Sequence, residues 1–186
     1  MSKYGILGWP LERSYSPVIH AFLLKHASIE GKYELIKMNE INNKNIDQIN
    51  KSYSGYNVTI PYKEKILEVC EEAHLDVHVK KIGSVNTVKN KDGITSFYNT
   101  DYLGFLNFLE IINFNPEGRK IMILGSGGSS KSINYALNLV KGEATIISRT
   151  NKEEAISYED LNERADEVEV ITVSYTHLTL PTILRV

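Results

Sequence analysis

Lys63 and Asp101 are the two ionisable residues of this sequence whose neighbours suggest chemistry. Lys63 closes the run Gly55-Tyr56-Asn57-Val58-Thr59-Ile60-Pro61-Tyr62-Lys63, and Asp101 closes Asn99-Thr100-Asp101. A carboxylate that meets an ammonium in one cleft orients it and balances its charge. A lysine held in that way can shuttle the proton of an alcohol while hydride leaves the alcohol carbon. Taken singly, a lysine at a helix start is a solvated surface residue and an aspartate before an apolar helix is its N-cap. The chemical reading therefore requires both side chains to enter one cleft.

Hydroxyls and amides cluster around the pair in the sequence pattern. Ser14-Tyr15-Ser16 precedes a helix, so two hydroxyls and a helix N-terminus converge in a way that suits a carboxylate. The alternative is that Ser16 only caps the helix and Ser14 faces water. Asn57 and Thr59 lie two apart on an expected strand and share one face, with Val58 and Ile60 on the other. Such a pair suits a polyhydroxylated ligand. Asn86 and Thr87 sit on the next strand, and Asn99 and Thr100 end the one after it.

A second constellation lies downstream. The apolar strand Lys120 to Leu124, the loop Gly125-Ser126-Gly127-Gly128-Ser129-Ser130 and a helix from Ser129 to Val140 form the start of a βαβ unit. Glycines there permit a tight turn and close backbone approach, while the helix N-terminus offers unpaired N–H groups to a pyrophosphate. Ser130 stands where the third glycine of the dinucleotide fingerprint belongs, so the match is partial, and a purely structural turn is the alternative. After the next strand the chain reads Ser148-Arg149-Thr150, without the acidic residue that binds the ribose of NAD. A guanidinium pairs with a 2′-phosphate where a carboxylate repels it, which favours NADP over NAD. A solvated surface arginine is the bland reading of Arg149.

The elements that must position these residues alternate. A strand at 4–8, a helix at 17–27 capped by Ser16, a strand at 33–38, a helix at 44–51, a strand at 56–60, helices at 62–73 and 76–81, and a hairpin around Asn90-Lys91-Asp92-Gly93 make up the first hundred residues. An apolar helix follows Asp101, and Asn115-Pro116-Glu117-Gly118 breaks the chain before the βαβ unit. A helix near 158–165 and a strand near 168–171 extend that unit to an open sheet of three strands. The fold class is α/β, with an N-terminal α/β substrate domain over 1–101 and an incomplete Rossmann-type NADP-binding domain over 102–172. The β-prone segment 173–186 breaks the pattern and reads as a non-native tail resembling translated adapter sequence.

Bulk properties narrow the function classes. With 186 residues and 42% hydrophobic content the chain can build a core. Lys and Arg number 21 against 23 Asp and Glu, for a net charge of −2, so there is no general attraction to nucleic acid or an anionic membrane. There is no signal-peptide pattern and no apolar run of 18 residues, and a cytoplasmic protein is expected, as a monomer or homodimer acting on a small molecule. The single cysteine, Cys70, reads as a packed thiol. His74 and His78, four apart, lack a carboxylate or thiol in a recognised spacing, so no metal is expected.

The ordered motifs resemble shikimate dehydrogenases across residues 1–171. They are Ser14-Tyr15-Ser16-Pro17, Gly55 to Lys63, Gly83-Ser84-Val85-Asn86-Thr87, Asn99-Thr100-Asp101, Gly125-Ser126-Gly127-Gly128 and Ser148-Arg149-Thr150. The resemblance implies that Ser14 and Ser16 bind a carboxylate, that Thr59, Asn86 and Asp101 contact ring hydroxyls, and that Lys63 and Asp101 form a catalytic pair. It also implies reversible NADP-linked interconversion of 3-dehydroshikimate and shikimate, on the route to chorismate and the aromatic amino acids. A quinate/shikimate dehydrogenase and a non-catalytic ligand-binding module are the alternatives. Tyr98 replaces the family's glycine before Asn-Thr-Asp, and Ser148 its asparagine before Arg-Thr. The Asn-Ala-Thr segment, glycine turn and glutamine-bearing helix that family members carry after this point are absent, so the chain resembles the first two-thirds of such an enzyme.

Overall fold

The computed structural model describes residues 1–149, 155–158 and 168–173, and the chain divides into two units, Met1–Gly104 and Phe105–Val186. In the first, β1 (Ser2–Gly8), α1 (Ser16–His26), β2 (Gly31–Lys37), α2 (Asn43–Ser52), β3 (Gly55–Val58), α3 (Tyr62–Lys65), β4 (His74–Leu75), α4 (Val77–Ile82), β5 (Thr87–Lys91) and β6 (Ile94–Tyr98) lead to α5 (Asp101–Ile111). The sheet runs β2-β1-β3-β5-β6-β4. Strand β1 is parallel to both of its neighbours, whereas β5 is antiparallel to β3 and β6.

Local sequence explains most of these elements. Ile46 and Ile49 lie three apart on α2 and are its buried residues, and Asn42 and Asn45 form a reciprocal capping box at its start. Asp92 and Gly93 both take positive φ, 52° and 77°, the backbone hand that a two-residue hairpin between β5 and β6 needs. Gly83 ends α4 with φ 68°. The core of this unit gathers Leu7, Ile46, Val58, Ile66, Val79, Val88 and Phe97, all 2% exposed or less. Fully burying each such side chain contributes about 1.5–3 kcal/mol.

Several expectations are corrected. Ser16 is the first residue of α1, not its cap; instead the Ser14 Oγ accepts from the Ser16 N–H at 3.2 Å. The helix expected over 62–73 is the four-residue α3. Beyond it Leu67 and Glu68 bond back to Glu64 and Lys65, only three residues away, so the chain tightens into turns. Those turns carry the backbone to β4, an unexpected strand in which His74 and Leu75 pair with Ser96 and Phe97. His74 and His78 therefore lie on a strand and a helix, respectively. Strand β3 stops at Val58, which leaves Thr59 in a turn and Ile60 46% exposed, not on a buried face.

In the second unit β7 (Lys120–Leu124), α6 (Gly128–Leu139), β8 (Glu143–Ser148), β9 (Ala155–Ser157) and β10 (Val170–Val173) form a parallel sheet in the order β10-β7-β8-β9. Four strands replace the three expected, because Ala155–Ser157 pairs with the end of β8. Ile121, Ile123, Leu137 and Ile146 pack with Leu109 into its core. Val173 closes β10 opposite Leu124. Thr150, most of the helix expected at 158–165, and residues 174–186 lie outside the described residues.

Candidate active site

Lys63 occupies the single turn of α3, and Asp101 opens α5. Lys63 Nζ donates to Asp101 Oδ2 at 2.6 Å, with side chains 14% and 31% exposed. Two backbone bonds hold the lysine segment in place: Tyr62 N–H donates to the Thr59 carbonyl, and Val85 N–H donates to the Lys63 carbonyl. The aspartate does not cap its own helix. Asn99, 3% exposed, accepts the Asp101 N–H with Oδ1 at 3.0 Å and donates from Nδ2 to the Ser84 carbonyl at 2.9 Å. The Asp101 carboxylate is thereby left to face Lys63 and Asn86.

Asn86, 8% exposed, is the hub of this group. Its Nδ2 donates to Asp101 Oδ1 at 2.7 Å and to Thr100 Oγ1 at 2.9 Å. Its Oδ1 accepts from the Thr100 N–H and the Thr87 hydroxyl, each at 2.9 Å. Every donor of the carboxamide is engaged inside the protein. Asn86 thus holds one oxygen of Asp101 while Lys63 holds the other.

Asn57 joins the same network from β3. Its Nδ2 donates to the Asn86 carbonyl at 3.3 Å and to Thr87 Oγ1 at 3.4 Å, and its Oδ1 accepts the Tyr33 hydroxyl at 2.7 Å. Tyr33 on β2 was not singled out in the sequence, where its alternation with Leu35 reads as ordinary strand packing. Burial drives its phenol far above the usual range, and the Ser16 hydroxyl that faces it offsets part of the effect. Tyr33 also stacks on His20 of α1, with ring centroids 4.1 Å apart. Thr59 lies beside the group in its turn, and its hydroxyl makes no hydrogen bond among the described residues. A Cβ placed on Gly8 would come within 2.5 Å of the Thr59 methyl, so only glycine leaves Thr59 where it is.

The glycine loop belongs to the second unit. Gly125 has φ 114°, in the half of the map open to glycine. Gly127 is the N-cap of α6, with no side-chain hydrogen bond to the helix amides, and a Cβ there would meet nothing within 4 Å. No packing demand explains that glycine. Open space over the N-terminus of a 12-residue helix fits a phosphate. Ser129 follows Gly128 in the first turn. Ser130 is fully buried, so its small side chain serves the close helix-to-strand packing for which the fingerprint uses glycine. Ser148 is 4% exposed and its hydroxyl shares a 2.8 Å hydrogen bond with Ser126, bracing the loop against the end of β8. Arg149, next in the chain, is exposed. The residues present fit a dinucleotide.

A family model described as the shikimate dehydrogenase substrate binding domain matches residues 6–88. An NADP(+) shikimate dehydrogenase of Clostridium perfringens is 38% identical over 168 residues, which are 87% of this chain and 60% of that protein. The crystal structure of shikimate dehydrogenase from Aquifex aeolicus is 30% identical with a TM-score of 0.84, covering 95% of this chain and 69% of that one. The chain belongs to the shikimate dehydrogenase family. Another family structure, from Thermus thermophilus in complex with NADP(H) and shikimate, is 28% identical with a TM-score of 0.73, covering 92% of this chain and 63% of that one. As a member of the shikimate dehydrogenase family this chain is short, spanning three fifths of the Clostridium perfringens relative. Among the described residues no helix is long and apolar enough to cross a membrane, and no group of three or more His, Cys, Asp or Glu is placed to hold a metal.

Proposed function

We propose that this chain carries the substrate-binding and catalytic residues, and part of the cofactor domain, of a cytoplasmic NADP-linked shikimate dehydrogenase. The reaction is the reversible reduction of 3-dehydroshikimate to shikimate, within the biosynthesis of chorismate and the aromatic amino acids. The observation that carries this reading is the 2.6 Å contact between Lys63 and Asp101, braced by Asn86. Ser14 and Ser16 take the substrate carboxylate. Asn57, Thr59, Asn86 and Asp101 face its hydroxyls. In the reductive direction Lys63 Nζ delivers a proton to the carbonyl oxygen, and in the oxidative direction it takes the proton of the alcohol. Asp101 holds the ammonium in line and balances its charge throughout.

Gly125, Ser126, Gly127, Gly128 and Ser129 are the residues that would hold the pyrophosphate, with Arg149 and Thr150 toward the 2′-phosphate. A nicotinamide held there would give hydride to the carbonyl carbon in the reductive direction and take it from the alcohol carbon in the oxidative one. The functional protein is a monomer or homodimer that acts on a small molecule, without nucleic acid or membrane as partner. One competing reading is a module that binds shikimate without turning it over.

The test mixes purified protein with shikimate or quinate and with NADP or NAD, follows absorbance of the reduced nicotinamide, and titrates shikimate by calorimetry. Reduction of NADP by shikimate is the expected result. Shikimate binding without turnover selects the module, quinate oxidation with NAD selects the broader enzyme, and neither binding nor turnover rejects the proposal.

A further inference from the structure

Tyr33 is a phenol held under an imidazole with its hydroxyl aimed at an amide, a combination that packing alone does not require. Phenylalanine would fill the same volume and stack equally on His20. What phenylalanine lacks is the proton given to Asn57 Oδ1 at 2.7 Å. The Asn86 carbonyl can only accept, so it turns Nδ2 toward itself, and the phenol proton anchors the opposite end of the Asn57 carboxamide. With both ends held, Nδ2 keeps its contacts to the Asn86 carbonyl and Thr87 Oγ1. Thr87 in turn donates to Asn86 Oδ1, and Asn86 donates to Asp101. A continuous chain of hydrogen bonds therefore runs from β2 to the carboxylate beside Lys63.

We propose that Tyr33 is a positioning residue for the ligand-reading groups: its hydroxyl fixes the orientation of Asn57, with His20 holding its ring. The phenol keeps its proton because burial disfavours the phenolate, so it remains a donor across the working range of pH. Tyr33 touches the site only through its neighbours. The role rests on the reading of the first unit as a shikimate-binding domain, and it adds a residue from a strand that contributes no motif to that reading.

Shikimate is titrated calorimetrically into the wild-type chain, Tyr33→Phe, Asn57→Ala and the double variant, with the thermal midpoint of each recorded. Tyr33→Phe is expected to weaken shikimate about tenfold, the worth of one oriented hydrogen bond. In the Asn57→Ala background the same change is expected to matter less than about twofold, because the group it acts through is gone. Equal effects in both backgrounds, or no effect in either, overturn the proposal. A ligand-free arm follows the Asn57 side-chain amide by NMR. Its heteronuclear NOE should fall by about half in Tyr33→Phe as the carboxamide begins to reorient, and an unchanged value overturns the proposal. If the wild-type chain fails to bind shikimate, the functional reading falls while the amide signal still decides the role of Tyr33.

Discussion

Asn86 and Lys63 grip opposite oxygens of one carboxylate: Asn86 Nδ2 lies 2.7 Å from Asp101 Oδ1 and Lys63 Nζ lies 2.6 Å from Asp101 Oδ2. An ion pair free to rotate in water contributes little. This one has its acid locked by a neutral amide that is itself saturated with hydrogen bonds, so the ammonium has a fixed target.

Removing the amine should separate chemistry from binding. In the assay of NADP reduction by shikimate, Lys63→Ala is expected to lower turnover about 100-fold or more. Shikimate affinity should stay within about threefold. Steady-state kinetics paired with calorimetry checks this, and unchanged turnover removes the lysine from the mechanism.

Asn86→Ala leaves the Thr100 N–H and Asp101 Oδ1 without their partner. The loss of a nearly buried network of this kind should cost about 2 kcal/mol of stability, read from urea unfolding. A change below about 0.5 kcal/mol means that water replaces the carboxamide at no cost.

Ser84 presents the opposite case. It is fully buried and its hydroxyl is the orphan among the described side chains. An unmet hydroxyl carries a penalty of about 1–3 kcal/mol. Ser84→Ala should therefore stabilise the protein by about 1 kcal/mol, and a destabilised variant would show that the hydroxyl has a partner after all.

His20 gives a pH dependence. Burial lowers its imidazole from the usual 6.5. The unfolded chain then binds the proton at higher pH than the folded one. The stability His20 contributes is complete above 6.5 and is lost as the pH falls through its lower folded midpoint. NMR titration should place that midpoint below 6.5, and His20→Phe should flatten the corresponding segment of the stability profile.

Arg149 is the residue through which the proposed preference for NADP can be tested. Arg149→Ala should weaken NADP more than about tenfold and leave NAD within about twofold, because only NADP carries the 2′-phosphate. Equal weakening of both, measured by calorimetry, assigns the arginine to general electrostatics.

The sequence made some of this legible and hid the rest for identifiable reasons. The βαβ unit stands out because a dense apolar strand, a glycine turn and a helix each leave a local signature, and α2 does so through Ile46 and Ile49. Lys63 and Asp101 could be nominated, but their contact spans 38 residues and depends on Asn99 taking over the capping duty, which spacing does not reveal. Helix α3 was overestimated because Leu67, Val69 and Cys70 are apolar at helical spacing, whereas the chain spends those residues reaching β4. Tyr33 was missed because a tyrosine in a strand looks the same whether its hydroxyl meets water or an amide.

The crowding between Gly8 and Thr59 ties two distant codons together. A side chain at 8 would evict the methyl at 59, and a larger group at 59 would press on bare backbone at 8. Any scheme that diversifies this stretch must vary the two as a couple, with the smaller partner chosen first.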